Sequence, residues 1–297
     1  MILPNSLNKG DKIGLVSTAR YISPIELKTA IEILKEWGLN VILGVNIFCN
    51  NEQFAGTDLE RASDLQMMIN DNSIKAILCT RGGYGTARII DLIDFTNLFT
   101  HPKWIIGYSD ITVLHTHINK LGLSSLHATM PINFNTNTSN ALQSMHACLF
   151  KQQQQVTSPT YYLNKNGCVN AEIVGGNLSV IYSLLGSKSD IDTVGKILFL
   201  EDLDEYLYHI DRMVLNLKRN NKFSPLKGLI IGAMEDMHDN TISFGKSVNE
   251  IIYEHTSDYN FPICFNFPAG HISNNTSLIL GKNSELEINN NNVNLLQ

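Results

Sequence analysis

No basic face can be drawn from this sequence. Its 297 residues hold 22 Lys and Arg against 28 Asp and Glu, a net charge of −6 at pH 7. Phosphate contacts need clustered cations, so the composition argues against a nucleic-acid partner and against an anionic membrane surface. No apolar run approaches the roughly 20 residues that span a bilayer. The opening Met1-Ile2-Leu3-Pro4-Asn5-Ser6-Leu7 lacks the basic start and long apolar stretch of a secretory signal. CxxC pairs are also missing. The five cysteines (Cys49, Cys79, Cys148, Cys168, Cys264) are odd in number, scattered, and mostly inside apolar runs. Buried reduced thiols in a cytoplasmic protein are the expectation, ahead of disulfides or metal ligation. What remains is ordinary for a globular chain, 43% hydrophobic and 17% charged, with length enough for a large core in one domain or two.

The first half alternates apolar runs with helical patterns. Lys12 to Ser17, Asn40 to Leu43, Lys75 to Cys79 and Trp104 to Gly107 read as strands. Between them, Ile25 to Trp37 has helical spacing, and Thr57-Asp58-Leu59-Glu60 is a capping box that opens a helix towards Asn70. Strands joined to helices by short connections predict a parallel sheet with helices on both faces, an N-terminal α/β domain over 1–135. The alternation then stops. A stretch rich in Asn, Thr, Ser and Gln predicts a linker or exposed crossover over 136–165. The remainder, 166–297, mixes strands and helices and reads as a second α+β domain. The Asn289 to Asn292 run is expected as a turn between terminal strands.

In parallel sheets ligands gather outside the carboxyl ends of the strands, which puts Arg81-Gly82-Gly83 and Ser109 on one edge. Ser109 falls between the buried run Trp104 to Tyr108 and the helix start Asp110 to Leu114. A serine on that sharp turn presents its hydroxyl beside free helix N–H groups, which suits a nucleophile; Ser-Asp also fits an ordinary helix cap. A serine hydroxyl needs a base, and the base needs an orienting group. Among nine histidines, His115 and His117 lie on the following helix and read as packing or surface residues, and His127 ends a strand near the site edge. His271 sits in the loop Phe267-Pro268-Ala269-Gly270-His271, directly after an apolar segment. Glu201 ends the apolar run Ile197 to Leu200 and begins a cluster with Asp202, Asp204 and Glu205. That cluster suits an orienting carboxylate, a solvated turn, or a hard-cation site without EF-hand spacing. The glycine loop Arg81 to Gly85 lacks nucleotide-loop spacing, and its N–H groups fit either a phosphate or, with the N–H of Asp110, an oxyanion; Gly82 and Gly83 are both candidates.

Taken together, Arg81-Gly82-Gly83-Tyr84-Gly85, Gly107-Tyr108-Ser109-Asp110, Gly175-Gly176-Asn177, Leu200-Glu201-Asp202 with Asp211-Arg212, and Gly270-His271 resemble the L,D-carboxypeptidases, the muramoyltetrapeptide carboxypeptidase family of serine peptidases. Gly10-Asp11-Lys12-Ile13-Gly14 and Leu280-Gly281 fit as well, in order along nearly the whole chain. The resemblance implies a flavodoxin-like N-terminal α/β domain and a smaller β-rich C-terminal one. It implies a triad of Ser109, Glu201 and His271, no metal or organic cofactor, a murein tetrapeptide substrate, and a cytoplasmic homodimer. Arg81 or Arg212 is then expected to hold the substrate carboxylate bidentately, or to form a structural ion pair. Two stretches depart from the family pattern, Ser17-Thr18-Ala19 where Pro-Ser is usual and Ala128-Thr129 where Gly-Pro is usual; both are expected to line the cleft. A sibling activity, amide hydrolysis of a peptide-nucleotide antibiotic, goes with an aromatic-bearing loop, and none appears between Leu185 and Lys196. A non-catalytic two-domain binding protein would use the same cleft.

Overall fold

A computed structural model describes residues 1–297. Its first half runs β1 (Lys12–Val16), α1 (Pro24–Glu36), β2 (Asn40–Leu43), α2 (Asp58–Asn70), β3 (Ile74–Cys79), α3 (Thr86–Ile89), α4 (Asn97–Thr100), β4 (Trp104–Gly107), α5 (Thr112–Lys120) and β5 (Ser125–His127). The strands lie in the order β2-β1-β3-β4-β5, all parallel, which is the doubly wound order of flavodoxin-like sheets. Alternate residues feed opposite cores. Ile13, Leu15, Leu78 and Ile106 join α1, while Val16, Ile77, Cys79 and Ile105 join α2 and α5. Both α1 and α2 open on capping boxes, Ser23 with Glu26 and Thr57 with Glu60.

Where composition predicts a linker, the chain folds. Residues of α6 (Ser139–Lys151) and β6 (Gln155–Pro159) fill most of it. Ala141, Met145, Cys148 and Leu149 fall on one helical face and are buried, three of them in the core that also holds α1. The polar residues that dominate this stretch occupy the outer faces of an amphipathic helix and an edge strand, so composition concealed both.

The second half continues with β7 (Gly167–Asn177), α7 (Leu178–Leu184), β8 (Ile197–Leu203), α8 (Leu207–Arg219), β9 (Gly228–Glu235), α9 (Val248–Thr256), β10 (Ile263–Cys264), β11 (Leu278–Leu280), β12 (Asn283–Ile288) and β13 (Asn292–Leu296). Its sheet has the order β10-β9-β8-β7-β12-β13-β6, parallel from β10 to β7 and antiparallel beyond. Helices α7 to α9 cover one face. The expected terminal turn is present, with Asn289 N–H donating to the Asn292 carbonyl at 3.0 Å.

The two halves are not separated by one cut. Strand β11 leaves the second half and pairs antiparallel with β5, Leu278 opposite His127. Asn177 N–H donates to Thr112 Oγ1 (2.9 Å), Thr138 N–H to the Ser273 carbonyl (2.9 Å), and Thr138 Oγ1 to Asn274 Oδ1 (2.7 Å). All five cysteines are free. Cys79, Cys148 and Cys264 are buried, and burial pushes each of their thiols up to about 12. No helix is long and apolar enough to cross a membrane.

Candidate active site

The carboxyl ends of β1, β3 and β4 deliver the first half's contribution. After β4, Tyr108 is extended and Ser109 turns to φ +63°, a left-handed conformation for a residue with a side chain. Such a residue stores of order 1–3 kcal/mol. A 3-10 turn over Ser109–Ile111 follows and runs straight into α5. This is the strand, sharp turn and helix that a nucleophilic serine uses. Its scaffold is tightly tied. The buried Asp110 carboxylate accepts from Thr86 N–H (2.9 Å), and burial holds its pKa above the usual carboxylate range. The buried imidazole of His115 is pushed down to about 4 by desolvation and is therefore neutral. It lies 2.9 Å from the Gly107 carbonyl and 2.9 Å from Ser125 Oγ. A carbonyl only accepts, so Nε2 donates to Gly107 and Nδ1 accepts from Ser125. His115 thus packs and braces the turn, as its helical position predicts.

Gly82, in the loop after β3, lies over this serine. A Cβ placed there would sit 3.2 Å from Ser109 Oγ and 3.3 Å from Asp110 N. The glycine loop and Ser109 do share one edge.

The second half brings Glu201 and His271. Glu201, near the end of β8, is fully buried, and its Oε2 accepts from His271 Nδ1 at 2.6 Å. The approach depends on Gly270, at φ +125°, where a Cβ would meet Glu201 Cβ and Oε2 at 2.9 Å each. Its N–H is fixed by Asn275 Oδ1 (2.9 Å), itself buried. Desolvation resists charge on the His271 ring, but the charge and hydrogen bond of Glu201, with Asp202 behind it, prevail and raise the pKa. Burial and the Glu201 charge together lift Asp202 to about 7. The Tyr108 ring lies 4.8 Å from that of His271, so the histidine stands beside the residue preceding the serine. Ser109, His271, Arg81, Gly82 and Gly83 all line one cleft of about 510 Å³ between the halves.

Substituting alanine at Gly270 should therefore separate base from carboxylate without touching either. A loss of about 100-fold in kcat is expected from a misplacement on the order of 1 Å. Steady-state kinetics, with circular dichroism showing an intact fold, would check it.

The other sequence-based candidates divide between the cleft and its surroundings. Arg81 lines the cleft, but its Nη1 donates to the Tyr21 carbonyl (2.9 Å). Arg212 is a correction: it is exposed on α8, stacked 5.2 Å from the Tyr208 ring, and is not among the residues that line the cleft. His117 is bound by Ser189 Oγ (2.8 Å). His127 is fully buried behind Tyr108 with neither ring nitrogen partnered, and burial holds it neutral. Ser17, Thr18 and Ala19 are buried, as are Ala128 and Thr129, so the two departures lie behind the cleft wall rather than on it. Of the acidic cluster, Asp204 and Glu205 reach the cleft, held by His238 (2.5 Å) and His209 (2.6 Å). Sequence reasoning missed Arg20, Tyr108 and Asn133, which also line the cleft. Arg20 follows β1 at a strand's carboxyl end, the same signal that singled out Arg81.

With this geometry in place, similarity to known proteins identifies the class. Residues 13–128 match the LD-carboxypeptidase N-terminal domain and residues 170–286 the LD-carboxypeptidase C-terminal domain. The chain belongs to the LD-carboxypeptidase family and is a serine-type carboxypeptidase. It is 36% identical to the "probable murein peptide carboxypeptidase" of Bacillus subtilis over 289 residues, covering 94% of this chain and 89% of that one. It is 25% identical to the murein tetrapeptide carboxypeptidase of Pseudomonas aeruginosa, covering 93% of each. The muramoyltetrapeptide carboxypeptidase structure from Oxalobacter formigenes superposes with a TM-score of 0.89 at 25% identity, over 96% of this chain and 98% of that one. The microcin C7 self-immunity protein, at 22% identity and a TM-score of 0.88 over 100% and 99% of the two chains, shares the fold.

Proposed function

We propose that this protein releases the terminal D-alanine of murein tetrapeptides in the cytoplasm, as a homodimer serving cell-wall recycling, with Ser109, His271 and Glu201 as the triad. The observation that carries the reading is the arrival of a hydrogen-bonded His271–Glu201 pair from one half at the cleft that holds Ser109 from the other. Because Nδ1 carries the proton and donates it as a hydrogen bond to Glu201, Nε2 keeps a lone pair for the Ser109 hydroxyl. As Ser109 Oγ bonds to the carbonyl carbon, its proton passes to Nε2 and the carbonyl oxygen becomes anionic. The N–H of Asp110 and of Gly82 or Gly83 receive that oxygen. Collapse breaks the C–N bond, with the Nε2 proton going to the nitrogen of departing D-alanine. Water then attacks the acyl-serine, His271 takes its proton, and Ser109 Oγ leaves with that proton restored.

The purified protein, given tetrapeptides with diaminopimelate or lysine at the third position, should yield tripeptide and D-alanine in equal amounts, undiminished by EDTA. Absence of D-alanine from every tetrapeptide, with turnover of a peptide-nucleotide amide instead, would transfer the protein to the sibling activity.

A further inference from the structure

We propose that Arg20 is the residue that recognises the free carboxylate of the substrate, a role resting on the carboxypeptidase reading above. Three observations meet on it. First, Arg20 lines the same cleft as Ser109 and His271, and its guanidinium makes no hydrogen bond, ion pair or ring contact within the protein. The other cleft arginine is partly engaged, since Arg81 donates to the carbonyl of Tyr21 and so anchors the segment that carries Arg20. On the far lip Asp204 and Glu205 are held by histidines and not by Arg20. A cation left unpaired in a cleft that also holds carboxylates is available to an anionic ligand.

Second, the backbone under Arg20 is fixed. Ala55 N–H donates to the Ala19 carbonyl (3.0 Å) and Tyr21 N–H to the Gln53 carbonyl (3.1 Å), so the residue is clamped on both sides. Third, the side chain has a built track. Its stem crosses Gly83, where a Cβ would fall 2.5 Å from Arg20 Cδ and 2.6 Å from Nε, and where φ is +108°. Glycine leaves that space to the stem, and the next residue back, Gly82, is the one that lies over Ser109. A peptidase that removes a C-terminal residue must hold a carboxylate a few ångströms beyond the scissile carbonyl, and a planar guanidinium matches that group through two parallel N–H donors.

The test compares a tetrapeptide ending in a free carboxylate with the same peptide ending in an amide, using wild type, Arg20→Ala and Arg20→Lys. Wild type should prefer the acid. Arg20→Ala should raise KM for the acid about 10- to 100-fold with kcat nearly unchanged, as expected for loss of a charge-assisted pair bound equally in ground and transition states. It should treat the amide as wild type does, abolishing the preference. Arg20→Lys should recover part of the affinity. An Arg20→Ala enzyme that keeps the full acid-over-amide preference, or loses kcat with KM intact, overturns the assignment and leaves the carboxypeptidase reading standing. Failure of wild type to cleave either peptide overturns that reading, and the assignment with it.

Discussion

Ser109→Gly should abolish turnover and leave a more stable protein. Removing the nucleophile costs roughly 10⁴-fold or more in kcat, because the members of a triad act as a unit. The conformational effect has the opposite sign. Ser109 holds φ +63°, which glycine adopts without the Cβ conflict that serine carries. Relief of about 1–3 kcal/mol is offset by the roughly 0.5–1 kcal/mol of extra chain entropy that glycine gives the unfolded state. A net gain of about 1 kcal/mol corresponds to a Tm rise on the order of 2 °C in a chain of this size. Ser109→Ala keeps the Cβ and the strain, and should lose activity equally with Tm unchanged. Thermal melts of the three proteins beside an assay of D-alanine release separate the two effects. A glycine variant that melts below wild type would mean the turn is not strained.

The second large effect belongs to Glu201. Its carboxylate is wholly buried, and His271 occupies one of its oxygens. Glu201→Gln retains the shape but not the charge that steadies an imidazolium, and a fall of about 10³- to 10⁴-fold in kcat is expected. The pH profile carries the sharper signature. Catalysis needs neutral His271, and burial, which alone would lower its pKa, is outweighed by Glu201. In wild type the acid limb of kcat/KM should therefore lie above the ordinary histidine value of about 6.5, and in Glu201→Gln it should move down. Stability runs the other way. A pKa raised in the folded state contributes stability in full below the unfolded value and loses it as pH climbs through the raised one. Asp202, lifted to about 7, acts in the same direction, since the folded protein holds its proton where the unfolded chain has released it. The protein should be most active on the side where these two groups stabilise it least, and an acid limb that does not move in Glu201→Gln would remove Glu201 from the mechanism.

Much of this arrangement was legible along the chain because it rests on local rules. The capping box at Thr57, buried strand runs, and the strand–helix junction at Ser109 depend on neighbours in sequence, and each falls where those neighbours place it. Other features depend on what arrives from a distance. The helix Ser139–Lys151 looked irregular because only every third or fourth residue meets the core. Arg212 looked like a substrate ligand from its motif, but its side chain leaves α8 on an exposed face and rests on Tyr208. Ser17 to Ala19 and Ala128 to Thr129 turn inward, and the cleft wall is made by residues just beyond them, Arg20 and Met130. Strand ends identified the neighbourhood of the site; which side chains emerge into it was decided by the pleat.

The return of Leu278–Leu280 to the flank of β5 gives the architecture an interdependence that its two-lobed outline disguises. Without those three residues the nucleophile-bearing sheet would end on a bare row of amides and carbonyls, a template for self-association. The same short excursion begins a few positions after His271, so the polypeptide that completes one lobe is also the tether that presents the base from the other. One short length of chain thus serves both lobes at once, closing the edge of the sheet that carries the serine and holding the loop that carries its base.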